Sequence, residues 1–182
     1  MRAAALAPLV LFVMYAAHAA AEGRAAESLW ICHLANLLLA FGMVADCPAA
    51  ARAAVLLMIP GLPLWIYDMV VSSAVDPVSV LSHLGGLAIG IAVLLRQKPY
   101  RRSWHWALLA YFCAQAAARA FTPAELNVNV AHAPYPGFEK VFPGYAAYWL
   151  FTSLAAFVVL WAADRMMLGL LRPAAAPARS LP

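Results

Sequence analysis

Apolar residues run along this chain in six long blocks, at 3–21, 28–45, 53–74, 78–95, 103–121 and 144–163, separated by short polar or charged breaks. Each block is close to the roughly 20 residues that a helix needs to cross about 30 Å of hydrocarbon. The pattern therefore predicts an all-α polytopic membrane helix bundle of about six transmembrane helices. It makes a single domain over 1–172, followed by an alanine- and proline-rich tail at 173–182 that is expected to be disordered and cytoplasmic. Asp68 interrupts the third block, and Pro60 and Pro63 within it predict a kink, because proline removes a ladder hydrogen bond and clashes with the preceding turn. Neighbouring helices can satisfy the carbonyls that it frees. The first block, with Arg2 before it and Ala17-His18-Ala19 near its end, also has the form of a secretory signal peptide. The expectation is a retained first helix, with five spans if it is removed.

Composition narrows the class. Only 11% of the residues are charged, against about 25% in soluble domains, and the mean hydropathy is +0.80. The net charge of +4 lies mostly in the short breaks. A nucleic-acid-binding domain would gather its basic residues on one folded surface, so nucleic acid is excluded as a partner and membrane lipid is the expected one. Cys32, Cys47 and Cys113 form neither a disulfide framework nor a paired metal-binding spacing. Cys47 and Cys113 are expected to be small packing residues.

Basic residues orient the chain, since cytoplasmic loops are enriched in Lys and Arg. Arg96, Lys98, Arg101 and Arg102 crowd the break between the fourth and fifth blocks, which makes that loop cytoplasmic. Alternation then puts nine of the twelve Lys and Arg inside and leaves Arg24, Arg119 and Lys140 outside. Both termini are cytoplasmic in this arrangement, in a multi-pass protein of the cell membrane.

Orientation gathers the costly polar residues at the outer side. Cys32, His33 and Asn36 lie near the outer end of the second block, and His83 enters the fourth at a similar depth. Asp68 is placed near the outer end of the third block. Gln115 and Arg119, four residues apart on one helical face, approach the outer end of the fifth. The outer loop at 122–143 adds Asn127, Asn129 and His132, either as part of an interfacial aromatic segment or as a cap whose amides face a lipid head group. Ionisable and polar groups inside a span are functional candidates by default. His83 shares a face with Gly86 and Gly90, a spacing that lets helices approach closely, so it is expected to look into the bundle. A single such histidine is ordinarily a backbone-bonded core residue; Cys32, Asn36 and Asp68 at the same depth turn the reading toward a site.

Cys32 and Asn36 lie one helical turn apart, and His33 is rotated from Cys32 by about 100°. A cysteine nucleophile reacts as the thiolate and needs a base, ordinarily a histidine from another element. His83 is the expected base, Asn36 the group that orients it or donates to an oxyanion, and His33 a support or bystander. Metal ligation by His33, His83, His132 and Asp68 has no HxxxH or HExxH spacing behind it, so a metal-dependent hydrolase is the weakest alternative and no cofactor is expected. A serine protease of the rhomboid type is excluded because no Gly-x-Ser-Gly occurs, although His33-x-x-Asn36 and Ser82-His83-Leu84-Gly85-Gly86 echo its helices. A non-enzymatic permease or complex subunit, with Arg119, Asp68 and His83 along a polar path, is the other alternative.

The motif order, Cys32-His33-Leu34-Ala35-Asn36, then His83, then Asn127 and Asn129, then Phe142-Pro143-Gly144-Tyr145 and Tyr148, resembles the transmembrane protein 164 family with its YwaF-like bacterial relatives. The resemblance covers residues 28–170 and is partial in the outer loop, where Pro134 and Pro136 stand in for the family's pattern. It implies a six-helix membrane acyltransferase that moves fatty acyl chains between phospholipids, with Cys32 as acyl acceptor and His83 as its base.

Overall fold

The computed structural model describes residues 3–72, 75–97 and 100–170. Among the described residues six α-helices carry the fold: α1 (Leu6–Ala21), α2 (Ile31–Val44), α3 (Pro48–Ser72), α4 (Pro77–Leu94), α5 (Ser103–Phe121) and α6 (Tyr145–Leu170). Short 3₁₀ turns at Ala25–Leu29, Ala124–Leu126 and Val128–Val130 occupy two of the connections, and no strand occurs among the described residues. The all-helical expectation is met. Residues 173–182 lie outside the described residues, as do Arg2 and Lys98.

The helices α3, α4 and α6 are long and apolar enough to cross a membrane, whereas α1 and α2 are apolar but shorter. At roughly 1.5 Å per residue, the 14 residues of α2 fall short of a full crossing. The sequence block was longer because Ala25–Leu29 leaves α geometry while staying largely apolar. The signature of three spanning helices is that of a membrane protein, and the exposed surface agrees: Leu64, Val70, Leu150 and Leu154 all stand outside the fold. So many exposed large apolar side chains are unfavourable in water and ordinary against hydrocarbon.

Half of α3 forms the centre of the bundle. From Ala49 to Met58 it is buried on all sides, packed against α2, α4, α5 and α6. The helix runs unbroken through Pro60 and Pro63, and beyond them its surface is mostly exposed. Small residues set the spacing around it. A Cβ on Gly42 would meet the Ala51 backbone at 2.5 Å, and one on Gly90 would meet Val55 at 2.5 Å. The close approach expected of Gly86 and Gly90 is thus realised, α4 lying tight against α2 and α3.

One end of the bundle is assembled from the connections α1–α2, α3–α4 and α5–α6. His18 lies 3.4 Å and Arg24 4.0 Å from Asp76, the residue that caps α4 by accepting from Val78 N at 2.8 Å. Arg24 also pairs with Glu22 and Glu27. These pairs are half exposed and contribute little individually. The hydrogen bond to Glu22 comes first in holding the Arg24 guanidinium even more firmly charged than usual, and the charge of Glu27 adds to it.

At the opposite end a buried ion pair joins α3 to α6. Arg52 Nε donates to Asp164 Oδ1 at 3.1 Å, and the guanidinium also reaches the Asp164 carbonyl at 3.4 Å. The residues are 3% and 1% exposed, so neither charge has water to fall back on.

Candidate functional site

Three side chains from two helices converge near the charged end. The Sγ of Cys32 and ring nitrogens of His33 and His83 all lie within 4.8 Å of one another. The sequence pair Cys32-His33 stands at the start of α2, and His83 comes from the second turn of α4. Their meeting depends on the contact between α2 and α4. Gly86 makes it possible: a Cβ there would lie 2.2 Å from Asn36 Oδ1.

The two imidazoles are fixed by different partners. His83 Nδ1 is 2.8 Å from the Ser79 carbonyl oxygen, one turn back on α4. A carbonyl oxygen only accepts, so Nδ1 carries the hydrogen and Nε2 of the neutral ring carries the lone pair. That Nε2 is buried and makes no hydrogen bond among the described residues. Trp65 stacks on the His83 ring at 4.3 Å and donates from Nε1 to Ser79 Oγ at 3.0 Å. His33 Nδ1 lies 3.2 Å from Ser82 Oγ, and Tyr15 stacks on its other side at 3.4 Å. The rings of His33 and His83 meet edge to face at 4.8 Å.

Of the expected site residues, Cys32, His33 and His83 are together. His33, expected as a support or bystander, is 2% exposed and stands inside the cluster. Asn36 is fully buried, but its amide donates to the carbonyl and hydroxyl of Ser82, both at 3.3 Å. It locks α2 to α4 and has no donor left for an oxyanion. Asp68 is exposed on α3 and is not among the buried donors. Burial raises the phenol of Tyr135 above its ordinary value, and the Asp68 charge pushes the same way, which sets Asp68 by the outer loop.

The loop asparagines are structural. Asn129 Nδ2 donates to Leu29 O at 2.8 Å and Ala114 O at 3.3 Å, and its Oδ1 accepts from Ile31 N at 2.8 Å. Ile31 opens α2, so a residue 98 positions away caps the helix that carries Cys32. Asn127 closes the loop on itself, accepting from the backbone of His132 and Ala133 and donating to Ala133 O. Both asparagines are left-handed, at φ 43° and 54°, a region that asparagine tolerates better than most residues. His132 is half-buried, with Nε2 unbonded among the described residues.

Gln115 and Arg119 serve α5. Gln115 donates to Tyr111 Oη and Asn129 O and accepts from Trp149 Nε1 at 3.1 Å. Arg119 donates to Ala131 O at 2.7 Å. Cys47 is half-buried, while Cys113 is exposed on α5 and so is not the buried packing residue expected of it.

Sequence reasoning passed over Tyr15, Trp65, Ser79 and the Arg52–Asp164 pair. Ser79 was within reach of it, since positions 79 and 83 share a helical face one turn apart. The aromatic plates and the ion pair join residues far apart in the chain and leave no local signal. No protein-family model, curated protein or solved structure matches this chain.

Proposed function

We propose that the protein is a six-span membrane protein whose thiol–imidazole centre, Cys32 with His83, transfers acyl groups between membrane lipids. The observation that carries the reading is the His83 ring: Nδ1 is tied back to Ser79, Nε2 is buried without a hydrogen bond among the described residues, and a ring nitrogen lies within 4.8 Å of the Cys32 thiol. A base so held is ready to take a proton, and catalytic hydrogen bonds are often long before substrate binds. The motif order of Cys32, Asn36, His83 and the Asn-containing loop supports the same chemistry. The excess of basic residues toward the opposite end supports an outer-half position for the centre.

The step balances as follows. His83 Nε2 takes the Cys32 S–H proton, and the thiolate adds to the ester carbonyl of a donor lipid. The C–O bond breaks, the departing alkoxide recovers the proton from the imidazolium, and a Cys32 thioester remains. An acceptor lipid hydroxyl then gives its proton to His83 and attacks the thioester. The C–S bond breaks, and the proton returns to the thiolate.

A second reading is favoured by the third donor, His33. A thiolate and two imidazoles suit zinc or copper, and the Ser79 bond is of the type that orients a ligating histidine. Tetrahedral zinc with bonds of about 2.0–2.3 Å needs its donors roughly 3.4–3.8 Å apart. The spread of up to 4.8 Å is wider, which is why acyl transfer stands first.

Purified protein incubated with a phospholipid carrying a labelled acyl chain is expected to acquire a hydroxylamine-sensitive label. Cys32→Ala should abolish it, and His83→Ala should slow it by about 100-fold or more. Label and product surviving in Cys32→Ala would refute the thioester. About one equivalent of zinc or copper, lost in His33→Ala and unaccompanied by any acyl label, would select the second reading.

A further inference from the structure

An open cleft that shares no residue with the Cys32 centre lies between α5, α6 and the outer loop, with a volume of about 540 Å³. That is within the roughly 300–1,000 Å³ of small-molecule sites. Phe112, Ala116 and Trp149 make its walls. Its polar lining groups are mostly committed inward. Gln115 is bonded on both ends of its amide. The Tyr145 hydroxyl donates to Ala131 O at 2.7 Å, and the same carbonyl takes the Arg119 bond.

Arg119 is the exception. It lies in the last turn of α5, exposed, with its guanidinium 5.4 Å over the Tyr145 ring. One N–H is used on Ala131 O, and it forms no ion pair among the described residues. A guanidinium has five donors in a planar fork suited to phosphate. The clamp on Ala131 O and the neighbouring Tyr145 engage part of that fork and leave the rest facing the cleft mouth.

We infer that this cleft holds an anionic phospholipid, its phosphate on Arg119 and an acyl chain along Phe112, Ala116 and Trp149. The axial order fits. From Arg119 to Phe112 is two turns of α5, about 10 Å, leading away from the charged end. Leu109, one turn beyond Phe112 on α5, is exposed and apolar, so a chain leaving the cleft continues over surface suited to hydrocarbon. A free phosphate would use Arg119 and none of the walls. This site shares no residue with the Cys32 centre and does not depend on acyl transfer.

The test is native mass spectrometry of the full chain in detergent with equimolar phosphatidylglycerol and phosphatidylcholine. Wild type is expected to retain one phosphatidylglycerol about tenfold over phosphatidylcholine. Arg119→Gln should erase the preference and Arg119→Lys keep part of it. Ala116→Trp, which fills the cleft from an exposed position, should lower retention with Arg119 intact, and it decides the matter if Arg119→Gln does not fold. Cys32→Ala should leave the preference unchanged, separating this site from the acyl chemistry. Equal retention of the two lipids by wild type, or a preference that survives both Arg119→Gln and Ala116→Trp, would overturn the inference.

Discussion

Asn129 hydrogen-bonds three elements at once: the 3₁₀ turn before α2, the first residue of α2, and α5. Its amide matches donor and acceptor groups that would otherwise be left unpaired at a helix start, where each orphan is costly when buried. Asn129→Ala removes all three bonds and puts a residue without local side-chain hydrogen bonding at φ 54°. The expected loss of stability is about 3 kcal/mol, measured by thermal unfolding in detergent. Asn127→Ala, which loosens an exposed loop tip, should lose less. At the same scale Trp65 and Tyr15 flank the two imidazoles, so the cluster is held by aromatic plates as much as by hydrogen bonds.

Helix α4 does its work through one face. Ser79, Ser82, His83, Gly86 and Gly90 all point toward α2 and α3, the serines and His83 making hydrogen bonds and the glycines leaving room. Gly86→Ala would put a methyl 2.2 Å from Asn36 Oδ1, so the buried Asn36 side chain must shift and give up its bonds to Ser82, which join α2 to α4 beside Cys32 and His83. It is expected to lower the melting temperature and remove the acyl label together. Gly169→Ala is the control: nothing lies within 4 Å of the added methyl, and alanine's better helix propensity makes it neutral or slightly stabilising. If Gly86→Ala melts like wild type, the close approach of α4 is not needed. Helix α2 shows the converse, a short element whose start is capped from outside itself.

The molecule is fastened at both ends by different means. The site end is held by loop amides and half-exposed charges, and the far end by Arg52 and Asp164, sealed from solvent. Removing one member of a buried pair leaves an uncompensated charge, typically worth 3–5 kcal/mol, whereas replacing both with apolar residues of similar size can be neutral. Arg52→Met and Asp164→Leu are each expected to destabilise by about that much, and the double variant to recover most of the loss in a double-mutant cycle read by thermal unfolding. Additive losses would mean that the pair does not act as a unit.

The all-helical class, the three long apolar helices α3, α4 and α6, and the small face of α4 were legible in the sequence because each depends on local composition and on a period of 3.6 residues. So was the placing of Cys32, Asn36 and His83 among the polar residues within apolar runs. What sequence could not give is the rotation of each helix about its axis and the pairing of residues distant in the chain. Those decided that His33 stands inside the cluster, that Asn36 is bonded to Ser82, that Asn129 caps α2, and that Arg52 meets Asp164 across 112 positions. Hydropathy reports how far a residue prefers to be from water, and a bundle interior satisfies that preference in many arrangements. Only side-chain packing and the need to pair every buried polar group select among them.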